Sequence, residues 1–327
     1  MSRKLGSPKT NKRELATPRL ILIVLIALSV LAVHEVADAK SPNACYTFTT
    51  LGVPFPGATS SQVNYISVNG KIVGLYTDSS GASHGYLDDK GVFTTLDVPF
   101  PGAIGTYLSA ITTNNLIAGF WYDRVRGIHG FFDDKGAFTS FDPPGSTFTI
   151  TYYLDPTATI VGEYYDSSFV PHGFLNNSGV FTTLDVPFAG ATGTSADVIT
   201  PSGLIMRFYY DSSGVIHGYL DDKGAFSHFD VPFPGSLDTE IQASTPSGHQ
   251  IVGVYNDGSG NGDHAHHGFI EHKGIFATID VPFPGAYSTL IDGITPHSEI
   301  IVGGYLDSSG ALHGFRGTLK EEDEKDD

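Results

Sequence analysis

Six histidines, His84, His129, His172, His217, His267 and His313, are each followed by glycine, at spacings of 45, 43, 45, 50 and 46 residues. Imidazoles in such number suggest a metal centre or a proton relay. A metal, however, needs its ligands within about 2 to 2.2 Å of one point, and equivalent positions of successive repeats are held apart. The periodic histidine therefore reads as part of the repeat. Asp78 and His84 flank a five-residue loop, and Asp123 with His129, Asp166 with His172, Asp211 with His217 and Asp307 with His313 repeat the pairing. A side-chain hydrogen bond across each loop would clamp a hairpin. The acidic turns DSSG and LDDKG lack the alternating carboxylates and terminal Glu of a calcium-binding loop. Asp, Ser and Gly are what tight turns use in any case.

Chemistry specific to this chain is expected where the repeat is broken. One break is the insertion NDGSGNGDHAHHGF, residues 256–269, which puts nine residues between Asp257 and His267. Asp263, His264 and His266 there offer a surface transition-metal site, against the plainer reading of a solvated Gly-rich loop. A second break lies on the first strand of each unit, which carries in turn Asn64, Ser109, Tyr152, Asp197, Gln242 and Asp292. Facing a common axis, these would form a polar ring at the mouth of a channel. In composition the ring resembles the axial site of six-bladed lactonase-type hydrolases, where oxygen ligands hold a divalent cation that polarises a carbonyl. No paired general base is visible by spacing, so a water-solvated lining is preferred. A third set is Phe55, Phe100, Phe188, Phe233 and Phe283, in the loop VPFPGA and its variants; the corresponding loop before the third unit is shortened to DPPG. Exposed, these rings would suit a carbohydrate or a protein partner. Folded under, which large apolar side chains prefer, they would wedge between neighbouring units.

A period near 45 residues points to an array or a propeller. Each unit contains four short runs rich in β-branched and aromatic residues, bounded by Gly, Pro, Asn and Asp, which predicts strands. The second run is IVGLYTD and its relatives, with Tyr76, Trp121, Tyr164, Tyr209, Tyr255 and Tyr305 at one position. Six units of four antiparallel strands describe an all-β, six-bladed β-propeller over residues 46–319. The mature sequence opens with a fourth-type strand, YTFTTLGV from Tyr46, and the last unit stops after its third strand. Pairing the two completes the last blade and closes the ring, hiding two edges.

Residues 1–39 are of another kind. Six basic residues precede the run LILIVLIALSVLAV, and Ala37 and Ala39 form a small-x-small pattern, which reads as a secretory signal peptide. Residues 40–45 would be a short linker, and KEEDEKDD at 320–327 an acidic disordered tail. Without residues 1–39 the chain has 12 basic and 32 acidic residues, a formal charge of −20, which repels nucleic acid and anionic membranes. The single cysteine, Cys45, rules out an intramolecular disulfide, so a core must hold the fold.

The unit G.IVG.Y.DSSG..HGFLDDKG.FTTLDVPFPGA resembles the bacterial extracellular repeat family named for its His-Ala-Phe core (HAF repeat), across all six units. Every unit here has Gly where that family has Ala. The resemblance implies secretion and repetition and transfers no catalytic residues. The expectation is a secreted, monomeric, non-enzymatic binding or structural module for an extracellular glycan or protein. Its ligand would sit on the VPFPGA and DSSG rim or at the channel mouth. The alternative is a metal-dependent hydrolase of lactonase type with a divalent cation at the central channel; otherwise no cofactor is implied.

Overall fold

The computed structural model describes residues 46–125, 127–258 and 266–320, all within one compact unit spanning Ala39–Asp327. The expected signal segment, the linker, the tail beyond Lys320, and Asp263 and His264 lie outside the described residues. Every regular element among the described residues is a strand.

Each repeat is a four-stranded antiparallel meander. In the first, Ser60–Ile66 pairs with Ile72–Thr77, then Ser83–Asp89, then Val92–Leu96. Turn chemistry sets the reversals. In Phe55-Pro56-Gly57-Ala58 the amide of Ala58 donates to the Phe55 carbonyl, and Gly57 has φ 83°, as a type II turn with Pro at its second position demands. The hairpin Asp89-Lys90-Gly91-Val92 needs two consecutive left-handed residues, and Lys90 and Gly91 have φ 55° and 90°. That is the turn whose twist matches paired strands, and Asp88 Oδ1 accepts the Gly91 amide at 2.6 Å to hold it.

The expected pairing of the N-terminal strand with the last unit is present. Tyr46–Leu51 pairs antiparallel with Leu312–Leu319, from Tyr46 opposite Leu319 to Leu51 opposite Gly314. It completes the unit begun by Ala286–Ile294 and Ile300–Asp307.

Among the described residues no continuous hydrogen-bonded sheet links all the units: only single parallel bridges, Ser83 to Gly105 and Ile128 to Phe148, join the first three. Side chains join the units instead. Val73 and Leu108 share one buried cluster, Ala118 and Phe174 a second, Val161 and Ala196 a third, Val198 and Ile241 a fourth, and Val252 and Ile291 a fifth, so each cluster spans two successive units. Val302 of the last unit packs with Val63 of the first. The apolar core is thus divided among the junctions, so each unit depends on its neighbours for burial.

The periodic residues form an outer clamp. His84 stacks on Tyr76 with ring centroids 5.0 Å apart, and the Tyr76 hydroxyl lies 3.0 Å from the Thr95 hydroxyl on the fourth strand. His84 Nε2 faces Asp78 at 3.4 Å, while Nδ1 is only 2.8 Å from Asp97. The stronger partner is thus the Asp of LDV, which the loop pairing did not anticipate. Asp142, Asp185, Asp230 and Asp280 repeat the contact with their histidines. Desolvation opposes the charged His84 ring, but Asp97 and Asp78 together outweigh it and raise its pKa. Asp78 Oδ1 meanwhile accepts hydrogen bonds from Ser80 N, Ser80 Oγ and Ala82 N, so the DSSG carboxylate is spent on its own turn.

In the last unit the place of the LDV aspartate is taken by Gly52, and His313 faces Asp307 alone at 2.8 Å. No atom beyond its chain neighbours lies within 4 Å of a Cβ added at Gly52. The variant Gly52→Asp should therefore supply the missing carboxylate and stabilise the fold by about 0.2–1 kcal/mol. Such a pair attracts only while the imidazole is charged. The gain in melting temperature over wild type is thus expected at pH 5.5 and should fade as rising pH removes the charge from the imidazole, with Gly52→Asn as the uncharged control.

Candidate functional site

The polar ring is assembled by one recurrent irregularity of the first strand. Val63 pairs with Gly74 and Tyr65 with Val73, leaving Asn64 as the extra residue of a β-bulge. Ser109, Tyr152, Gln242 and Asp292 occupy the same bulge in their units. A bulge bends its strand and re-aims a side chain. All six expected residues, Asn64, Ser109, Tyr152, Asp197, Gln242 and Asp292, line a single cavity of about 240 Å³.

The bulge has a steric requirement on the second strand. A Cβ at Gly74 would lie 2.0 Å from the Gln62 carbonyl oxygen, and Gly119, Gly162, Gly253 and Gly303 meet the same obstacle at 1.9–2.2 Å. No side chain fits there. The fourth unit nevertheless carries Arg207 at this position. Its first strand is correspondingly interrupted, with Gly193–Thr194 and Val198–Ile199 paired and Ser195–Asp197 between them outside the strand.

Arg207 organises one side of the cavity. Its Nη1 donates to Asp197 Oδ2 and, at 3.3 Å, to Gln242 Oε1. Its guanidinium lies over the Tyr152 ring, 3.9 Å from the centroid, a cation–π contact in a desolvated place. Three ring residues from three units thus converge on one cation. Behind them stand two more acids: the Tyr152 hydroxyl donates to Glu163 Oε1 at 3.0 Å, and Gln242 Nε2 donates to Glu240 Oε2 at 3.1 Å. Arg207 and Glu163 are 6% and 4% exposed, so this is a buried charge cluster. Burial pushes Glu240 up against the opposing pull of Arg207.

Asp292 stands apart from that pairing. Burial raises its pKa to about 7, with Glu240 adding to the rise and the Gln62 hydrogen bond and Arg207 opposing it. Its Oδ2 is shielded from bulk water and has no hydrogen-bond partner. Aromatic rings form much of the remaining wall, with Tyr107 stacked on Phe120 at 4.7 Å and Tyr65 edge-on to Tyr153 at 5.6 Å. Val68 and Pro246, both exposed, mark the mouth. They belong to the turns between first and second strands, so the cavity opens away from the rim that carries VPFPGA and DSSG.

The other candidates are placed differently. Phe55, Phe100, Phe188, Phe233 and Phe283 are each half-buried, packed on Tyr76, Trp121, Tyr209, Tyr255 and Tyr305 at 4.6–5.2 Å. They are wedged under the rim. His266 begins a strand, and its amide donates to the Ser288 hydroxyl at 3.2 Å. Among the described residues no three His, Cys, Asp or Glu side chains are grouped to hold a metal. Asp197 is committed to Arg207, and Asn64 Nδ2 donates to the Leu108 carbonyl at 2.8 Å.

Arg207, Glu163 and Glu240 were absent from the expected set. The signal for the first is plain in hindsight: IMRFYYD is the one unit in which IVG or IAG loses its glycine. Glu163 is likewise the one acid at its place in the second strand, and Glu240 lies two residues before the ring position.

No family model and no curated protein matches the chain. Among solved structures it is similar to a fungal lectin from Aleuria aurantia, described as a six-bladed β-propeller with a novel fucose recognition mode. The TM-score is 0.52 at 14% identity, covering 80% of this chain and 92% of that one. The fold is a β-propeller. AofleA from Arthrobotrys oligospora also matches, with a TM-score of 0.48 and 12% identity over 84% of each chain, as does TolB from Acinetobacter baumannii, with a TM-score of 0.46 and 15% identity over 78% and 65%. Neither adds to the propeller assignment.

Removing the guanidinium leaves Asp197 buried without its counter-charge. Arg207→Ala should cost roughly 3–5 kcal/mol in denaturant unfolding, and the double variant Arg207→Ala, Asp197→Ala should recover part of that loss. Asp292 behaves in the opposite sense. Its folded pKa lies above the ordinary carboxyl value, so holding it ionised destabilises the fold increasingly between about pH 4 and 7. Asp292→Asn should therefore gain stability relative to wild type as pH rises through that window, by an amount on the order of 4 kcal/mol, read from unfolding curves at pH 4 and 8.

Proposed function

We propose that the chain is a secreted, closed six-bladed propeller that binds a glycan in its central cavity and carries out no reaction on it. The observation that carries this reading is the convergence of one side chain from every repeat on a single cavity of about 240 Å³. That volume corresponds to roughly eight waters at about 30 Å³ each, and lies below the 300–1,000 Å³ typical of drug-sized sites. It is the scale of one sugar ring. The lining suits the same ligand: a sugar presents apolar C–H faces and a fringe of hydroxyls, and the cavity offers the Tyr107–Phe120 stack beside the polar groups of Gln62, Asn64, Ser109 and Gln242. A few placed polar groups among aromatic walls are the usual make-up of a small-molecule site. The lectin that shares the fold is described as recognising fucose, which agrees in ligand class.

The side-chain packing of the last unit on the first, and the Tyr46–Leu51 strand in the last unit, support ring closure. Secretion rests on the N-terminal basic and apolar pattern. The hydrolase alternative draws no support from Asp197, whose carboxylate is held by Arg207.

Glycan-array screening of the purified protein, followed by calorimetry on the best ligand, tests the reading. Ser244, half-buried on the cavity wall near Pro246, can be replaced by Trp to obstruct the site. Ser244→Trp is expected to abolish binding with the melting temperature retained. Undiminished binding by that variant would move the site to the rim, and the absence of any glycan ligand would overturn the proposal.

A further inference from the structure

We propose that the group the cavity selects is a primary ammonium, so that its ligand is an amino sugar with a free amine rather than a neutral or N-acetylated one. This rests on the reading of the central cavity as the glycan site and names the chemistry that discriminates there.

The fold gathers several charges beside the cavity. Arg207 is surrounded by Asp197, Glu163, Glu240 and Asp292, three of which it reaches directly or through Gln242 and Tyr152. One fixed cation thus stands among four carboxyl groups. Its hydrogen bonds go to Asp197 and Gln242. Asp292 is half-buried and lines the cavity, and its Oδ2 has no hydrogen-bond partner. A partly buried carboxylate left short of hydrogen bonds is costly, so a ligand donor that reaches it from the cavity recovers a penalty already present in the free protein.

The groups facing Asp292 are Gln62, which hydrogen-bonds its carboxyl, and Arg207 and Glu240, which act on it through space. With Asp197 and Gln242 already engaging the guanidinium, the unmet demand at Asp292 is for a donor, and the local charge excess favours a positive one. An ammonium supplies three donors and no acceptor. Rings of Tyr65, Tyr107, Tyr153 and Phe120 line the same space, and their faces attract a cation where a hydroxyl or an acetamide gains little. A formal charge of −17 over the whole chain also raises the local concentration of cations.

An ammonium pairs with the ionised carboxylate, so binding near neutral pH releases the proton from those molecules in which Asp292 is protonated. Calorimetry of the purified protein with 2-amino-2-deoxyglucose, its N-acetyl derivative and glucose, with methylammonium as the bare probe, tests this. The amino sugar is expected to bind at least ten-fold more tightly than either neutral sugar. Its apparent binding enthalpy should change with the ionisation enthalpy of the buffer, reporting the released proton. Asp292→Asn should erase the preference and the buffer dependence, while its melting curve verifies that it folds. Equal affinity for all three sugars, or a preference retained in Asp292→Asn, would overturn the ammonium proposal and leave the glycan site standing. Methylammonium binding that depends on Asp292, with no sugar bound, would keep the ammonium site and overturn the glycan reading.

Discussion

A carbonyl oxygen about 2 Å from where a Cβ would be is the constraint on which the interior of this propeller depends. Five first strands bulge at the same point, and the bulge brings its backbone so close to the second strand that only glycine can face it. The benefit is geometric. A regular strand would alternate its side chains between the two neighbouring units, whereas the bulge residue is freed to face the centre. In the fourth unit arginine makes that approach impossible, the first strand gives way, and the released segment carries Asp197 to meet the guanidinium. One substitution thus changes the backbone and brings a cation against three residues of the cavity wall.

Outside this centre the units are governed by repetition. Stacking of histidine on the second-strand aromatic, the histidine contacts with aspartates, and the tyrosine hydroxyl reaching the fourth strand recur with small variations. They tie the outer strands to the middle of each unit. The inner strands are held by apolar contact with the next unit. Stability at the rim is therefore local, and stability at the core is shared between neighbouring units.

The cavity combines two opposing demands. Desolvation penalises every charge in it, and Arg207 can offset that penalty for only some of its acidic neighbours. Asp197 receives the direct pair, Glu163 and Glu240 are reached through Tyr152 and Gln242, and Asp292 is left with an unsatisfied oxygen and a pKa near 7. An imbalance of this kind is poor for stability and apt for recognition, because a ligand can satisfy what the fold leaves open.

The sequence by itself determined the strands, the period, the shared fourth strand and the six ring positions, because alternation, turn residues and repeats are local properties that survive in one dimension. Asn64 and Asp292 could be placed in one ring from their equivalent positions alone. The role of Arg207 could not be placed that way, although its departure from glycine was visible, since only the folded strand shows which carbonyl a Cβ would strike. The rim phenylalanines were likewise undecided until packing put each on its tyrosine or tryptophan. Tertiary structure alone decided that Asp197 is paired while Asp292 is not, because pairing depends on which units meet at the centre and on how far a guanidinium reaches. Those are distances between residues remote in sequence, and no spacing along the chain encodes them.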